Sequence, residues 1–153
     1  MIVLRRITHG IYAHLPVRAM EWVMAWPALG MGLALRYQQD MFGVSPSFVR
    51  LAEIATQYTW SAIVLWCCAL RVLGLTVNGT FAGFRYSPHL RLVASLACLF
   101  FWSRYALGFL DAALDGGGSW SAPVAYSTFA LAEIANSYRA WVDVIRGRRG
   151  RDG

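Results

Sequence analysis

The sequence predicts an all-α membrane protein: a four-transmembrane-helix bundle, arranged as two helical hairpins, with an N-terminal amphipathic helix. Three observations predict it. Hydrophobic residues make up 58% of the 153 and charged residues only 14%, whereas a soluble domain carries about a quarter charged residues because its surface must be wet. Apolar runs of near span length recur four times, and a bilayer core of about 30 Å takes about 20 such residues in a helix. The connectors between the runs are short and rich in turn-forming residues, which makes consecutive helices antiparallel neighbours. A mean hydropathy of +0.45 agrees.

Residues 1–18 form the first element. Leu4, Ile7, Ile11 and Leu15 recur at helical spacing while Arg5, Arg6 and His9 fall mostly elsewhere, as in a basic amphipathic helix lying on the cytosolic leaflet. Met1–Leu4 is too short for the apolar region of a signal peptide, and Arg5 and Arg6 follow it rather than lead it. Residues 19–145 form the transmembrane domain, with spans at about 19–36, 54–77, 90–112 and 122–145. The first run contains Pro27, the second Arg71, and the third Arg104. The fourth contains Glu133, Arg139 and Asp143 and is the weakest by hydropathy. An unpaired charge near a helix centre costs about 2.5–3.5 kcal/mol, so a soluble helix is the alternative for that run. Residues 146–153 are a basic cytosolic tail. Tyr37–Ser47, Asn78–Pro88 and the three glycines within Asp115–Ser121 supply the turns.

Arginine sets the orientation. With the N-terminus inside, Arg5, Arg6, Arg18, Arg85, Arg91, Arg146, Arg148, Arg149 and Arg151 lie on the cytosolic side and only Arg36 and Arg50 outside. Cytosolic loops collect positive charge, so both termini are placed in the cytosol of a bacterial inner membrane. Arg5, Arg6, Arg18, Arg146, Arg148, Arg149 and Arg151 then meet anionic headgroups. The same clustering at the edges of apolar runs argues against nucleic acid as the partner, despite the net charge of +6.

Charges inside spans are the best pointers to a site. At about 1.5 Å per residue, Arg104 and Glu133 both lie roughly 18 Å from the cytosolic edge, which predicts an ion pair between consecutive helices. The same arithmetic pairs Glu21 with Arg71 near the cytosolic side and Arg36 with Glu53 near the outer side. The structural reading is that these pairs fix helix register; the functional one is an ion or proton path through Glu133, with Asn136, Ser137, Ser103, Thr59 and Gln57 as the polar groups available.

No catalytic constellation, cofactor motif or metal site is legible. His9, His14 and His89 lie outside the spans, and Cys67, Cys68 and Cys98 have no metal-ligand spacing and read as small packing residues. Leu51–Tyr58 (LAEIATQY) is echoed at Leu131–Tyr138 (LAEIANSY), which raises a duplication of one hairpin, although Glu53 would sit at a span edge and Glu133 mid-span. Ala28 with Gly32, Gly30 with Ala34, and Gly108 with Ala112 are small-xxx-small pairs suited to helix contact. Trp22, Trp26, Trp60, Trp102, Trp120 and Trp141 are read as mostly interfacial or lipid-facing. In general form, with small size, few spans, short connectors and a charged tail at Arg146–Asp152, the chain resembles phage holins, though no motif carries the resemblance. The expectation is a non-enzymatic, self-associating, holin-like membrane protein. The alternatives are a small transporter or channel using Glu133 and Arg104, and an accessory subunit docked on a partner in a membrane complex.

Overall fold

The computed structural model describes residues 2–80 and 86–149, with side chains described over 15–77 and 86–147. In chain order the elements are α1 (Ile2–Tyr37), α2 (Met41–Val44), a 3-10 turn (Pro46–Phe48), α3 (Val49–Ala52), α4 (Gln57–Thr80), α5 (Ser87–Leu114) and α6 (Ser121–Arg149), with no strand among the described residues. Ser87-Pro88 starts α5, since proline at a first turn loses no hydrogen bond and its fixed φ suits the helix. Gly116, at φ 77°, ends it, and the Gly117 N–H returns to the Ala112 carbonyl. α1 is continuous except at Arg18, where φ −119° and ψ 17° leave the helical region and the axis kinks. Pro16 lies two residues earlier, and proline is the usual cause of such a break.

Side-chain contacts fix the topology. Gln57 meets Leu35, Ser61 meets Gly32 and Cys68 meets Ala25, a descending series that makes α1 and α4 antiparallel. Trp102 with Phe129, Tyr105 with Tyr126 and Arg91 with Asp143 do the same for α5 and α6. α4 joins the two pairs by packing along α5, through Trp60 against Phe101 and Ser87 against Gly74. α1 reaches α6 at the kink, where Arg18 meets Asp143 and Arg139 meets the Val17 carbonyl.

The segment between α1 and α4 differs from the expected turn. Its short helices fold back on α5, burying Ser47, Phe48 and Leu51. Gln57 clasps the end of α1, donating from Nε2 to the carbonyls of Leu35 (2.9 Å) and Gln38 (2.7 Å) and accepting from Phe42 N–H (3.2 Å). At Gly108 the Ser47 carbonyl comes so close that only a residue without Cβ fits. The echoed octapeptide therefore occupies unlike places: Leu51–Tyr58 runs from α3 through a break into α4, and Leu131–Tyr138 lies within α6. The two copies are not structurally equivalent.

Along each long helix buried polar residues sit beside exposed large apolar ones, within a core that is otherwise apolar, with Met24, Leu35, Val64, Phe101 and Trp102. α6 buries Glu133, Asn136 and Ser137 but exposes Leu131, Ile134 and Tyr138; α1 buries Glu21 and exposes Val23 and Trp26, the last at 76%. α4 buries Ser61 and Arg71 beside exposed Trp66, and α5 buries Arg91 and Ser95 beside exposed Val93 and Phe100. Among the described residues two segments, Gln57–Val77 and Ser87–Leu114, are long and apolar enough to cross a membrane. By composition α1 and α6 fall short of the expected four: Trp22, Trp26, Pro27, Gly30 and Gly32 dilute the apolar run of α1, and Glu133, Arg139, Asp143 and Arg146 interrupt α6. Trp60 and Trp102, expected among the interfacial tryptophans, are instead core residues at 3% and 1% exposure.

Candidate functional site

The core changes character along its length. One end is aromatic: Trp102, Tyr105 and Phe109 of α5 interlock with Tyr126 and Phe129 of α6, and Phe48 stacks on Tyr105 at 5.0 Å. The other end is ionic. Arg71 of α4 donates from Nη2 to Glu133 Oε2 of α6 at 2.6 Å, with side chains 1% and 0% exposed. The same nitrogen is 3.4 Å from Ser95 Oγ, and Asn136 donates to that carboxylate oxygen at 3.3 Å. The second layer lies nearer the kink. Arg91 of α5 grips Glu21 of α1 through Nε (2.6 Å) and Nη2 (2.5 Å), a bidentate fork, and its Nη1 reaches Asp143 of α6 at 3.0 Å. Arg18 adds a contact to Asp143 at 3.4 Å. Burial and the neighbouring Arg91 guanidinium pull Arg18 below its ordinary pKa, partly offset by Asp143 and Glu21; arginine still stays charged.

The structure pairs the predicted charges differently. Arg104 does not meet Glu133: it reaches the Arg50 carbonyl (3.2 Å) and Glu53 (3.3 Å), in a half-exposed network with the Arg50–Asp111 pair. Ser95 faces the ionic core, and Arg104 lies nine residues on, about 900° of helical rotation, so it points from the opposite side of α5. It also lies about 14 Å further along the axis at about 1.5 Å per residue, at the aromatic end where Trp102 and Tyr105 meet Tyr126 and Phe129, so it differs from Glu133 in depth as well as in azimuth. Glu21 takes Arg91 in place of Arg71, because Arg71 is engaged by Glu133. Arg36 does not reach Glu53 and sits over the Tyr58 ring, 5.5 Å from its centroid. Arg18 and Arg146 line a cleft at the kink. The side chains of Arg5, Arg6, Arg148 and Arg149, and all of Arg151, lie outside the described residues.

Two central residues were not assigned partners from the sequence. Arg91 is counted on the cytosolic side at the very edge of the third span, yet Ser87-Pro88 marks a helix start that puts it one turn inside α5. Asp143 was seen as a charge in the fourth run without a partner. Several polar atoms in the ionic core, Arg71 Nε and Nη1, Glu133 Oε1, Asn136 Oδ1 and Ser137 Oγ, are buried with no hydrogen-bond partner among the described residues.

The small-residue pairs divide. A Cβ at Gly32 would press on Leu65, and one at Gly108 on Ser47, so two pairs are used within the chain. Gly30 has open space beside it and faces outward. Among the described residues no cluster of three or more His, Cys, Asp or Glu could hold a metal ion. A scan of protein-family models finds no match, and comparisons with curated proteins and with solved structures find none either.

Proposed function

We propose that all four long helices cross a bacterial inner membrane, with both termini cytosolic on the ionic side, and that the protein acts without catalysis by self-associating and permeabilising that membrane, as holins do. Fully buried ion pairs together with an outer surface of large apolar side chains support the reading. Buried ions paired inside each helical face, with Trp26, Trp66, Leu131 and Tyr138 outside, suit a chain surrounded by lipid. In this reading charges on α1 and α6 lower their hydropathy without forbidding insertion, since each acid has an arginine waiting on α4 or α5. The outward Gly30, one turn from Ala34, supplies a face on which a second copy can approach closely.

The second reading, ion or proton transport through Glu133, draws on the unpartnered polar atoms around Arg71 and Glu133. Inducible expression in bacteria separates the two. The holin-like reading expects collapse of membrane potential and dye entry, abolished by Gly30→Ile and retained in Glu133→Gln at equal protein level. Flux lost in Glu133→Gln but intact in Gly30→Ile favours transport. An intact potential at full expression overturns both.

A further inference from the structure

The kink end holds more positive charge than its acids neutralise. A cleft of about 440 Å³ is framed by the α1 kink, the first turns of α5 and the last turns of α6. Arg18, Arg91, Arg139 and Arg146 line it, against Glu21 and Asp143. Both acids are engaged: Glu21 by the Arg91 fork, and Asp143 by Arg91 Nη1 and Arg18 Nη2. Among the described residues Arg139 and Arg146 make no ion pair. They lie seven residues apart on α6, about two turns, and so share a face. Arg139 is anchored by one donor, Nη1 to the Val17 carbonyl at 3.1 Å, beside the kinked residue. Among the described residues its other N–H groups have no partner, and the planar five-donor fork of a guanidinium matches phosphate oxygens.

We propose that this cleft binds one phosphate group, with Arg139 and Arg146 as direct ligands and the pinned Arg91 and Arg18 supplying background potential. The phosphate belongs either to an anionic phospholipid headgroup or to a soluble phosphate. The lipid source rests on the four-span reading, which puts the kink at the cytosolic headgroup level; the chemistry of the cleft does not.

The test uses the full chain in two arms. In nanodiscs of phosphatidylglycerol and phosphatidylcholine at equal amounts, native mass spectrometry counts the lipid that stays bound. In non-ionic micelles, calorimetry follows titration with inorganic phosphate. Arg139→Gln with Arg146→Gln is compared with Arg36→Gln plus Arg104→Gln, which removes equal charge at positions away from the cleft. Two arginines near an anionic surface contribute about fivefold each, so the first pair should weaken binding about 30-fold and the second far less, with unfolding curves unchanged. Stoichiometric retention of phosphatidylglycerol identifies the lipid as source. Phosphate binding without lipid preference identifies the soluble ion. Equal losses from both pairs mean diffuse attraction and overturn the cleft, as does the absence of binding in both arms. If the chain does not enter nanodiscs, the four-span reading fails, while the phosphate arm still decides the cleft.

Discussion

Replacing Glu133 by glutamine tests the ionic core most directly. The change keeps size and hydrogen-bonding capacity but leaves the Arg71 charge at 1% exposure, with Ser95 at 3.4 Å as its other side-chain contact. Breaking a buried pair from one side costs about 3–5 kcal/mol. The value expected here is near the lower bound, about 3 kcal/mol, because the new amide oxygen still accepts from Arg71 and because polar groups in unfolded membrane states also find partners. Arg71→Gln alone should cost a similar amount. The double variant strands no charge, so the coupling between the two should recover about 2 kcal/mol. Arg104→Gln is the internal comparison: it loses a half-exposed contact to Glu53 at 3.3 Å, a kind of pair that contributes about 0–1 kcal/mol. Reversible unfolding in mixed micelles of rising dodecyl sulfate content, followed by circular dichroism, gives all four free energies. The reasoning is refuted if Glu133→Gln matches the parent, if Arg104→Gln costs as much as Glu133→Gln, or if the double variant loses the full sum of the singles.

Two further outcomes follow from packing. Gly108→Ala drives a methyl into the Ser47 carbonyl and should destabilise by about 1–3 kcal/mol, whereas Gly30→Ala, with nothing nearby, should stay within about 0.5 kcal/mol in the same unfolding assay. Gln57→Leu removes three hydrogen bonds at the end of α1 and should cost about 2–3 kcal/mol; amide exchange at Gln38–Val44 should accelerate, and unchanged exchange there would show that the clasp does not hold the connector.

The sequence carries the helical periodicity, the turns at Gly116–Gly118 and the fact that buried charges need partners. It is nearly silent on which partner each takes. Rise per residue counted from assumed span edges puts Arg104 beside Glu133, but the Arg91–Asp143 and Trp102–Phe129 contacts set the register of α5 on α6 so that Glu133 falls level with Ser95–Cys98 and Arg104 lies beyond it, half a turn round from Ser95; neither that register nor the inward face of α5 follows from span edges. That face is legible in Arg91, Ser95 and Cys98, spaced four and three apart, once Arg91 at the span edge is read as facing inward rather than toward headgroups. The fold-back of Phe48 and Leu51 was hidden for another reason: Tyr37–Ser47 holds turn residues, and nothing local distinguishes a connector exposed to solvent from one packed on α5.

The division of charge between helices bears on how the chain is made. Both buried bases, Arg71 and Arg91, lie on the two most apolar helices, and their acids lie on α1 and α6. Glu21 is synthesised before Arg91, but Arg71 precedes Glu133 by 62 residues. At about 5–20 residues per second, Arg71 waits roughly 3–12 s for its counter-ion. If α4 enters the bilayer during that interval, it does so with a lone guanidinium, held at the lipid surface or within the insertion machinery until α6 emerges. A ribosome stalled before Glu133 would then leave a half-made bundle marked by one unpaired positive charge.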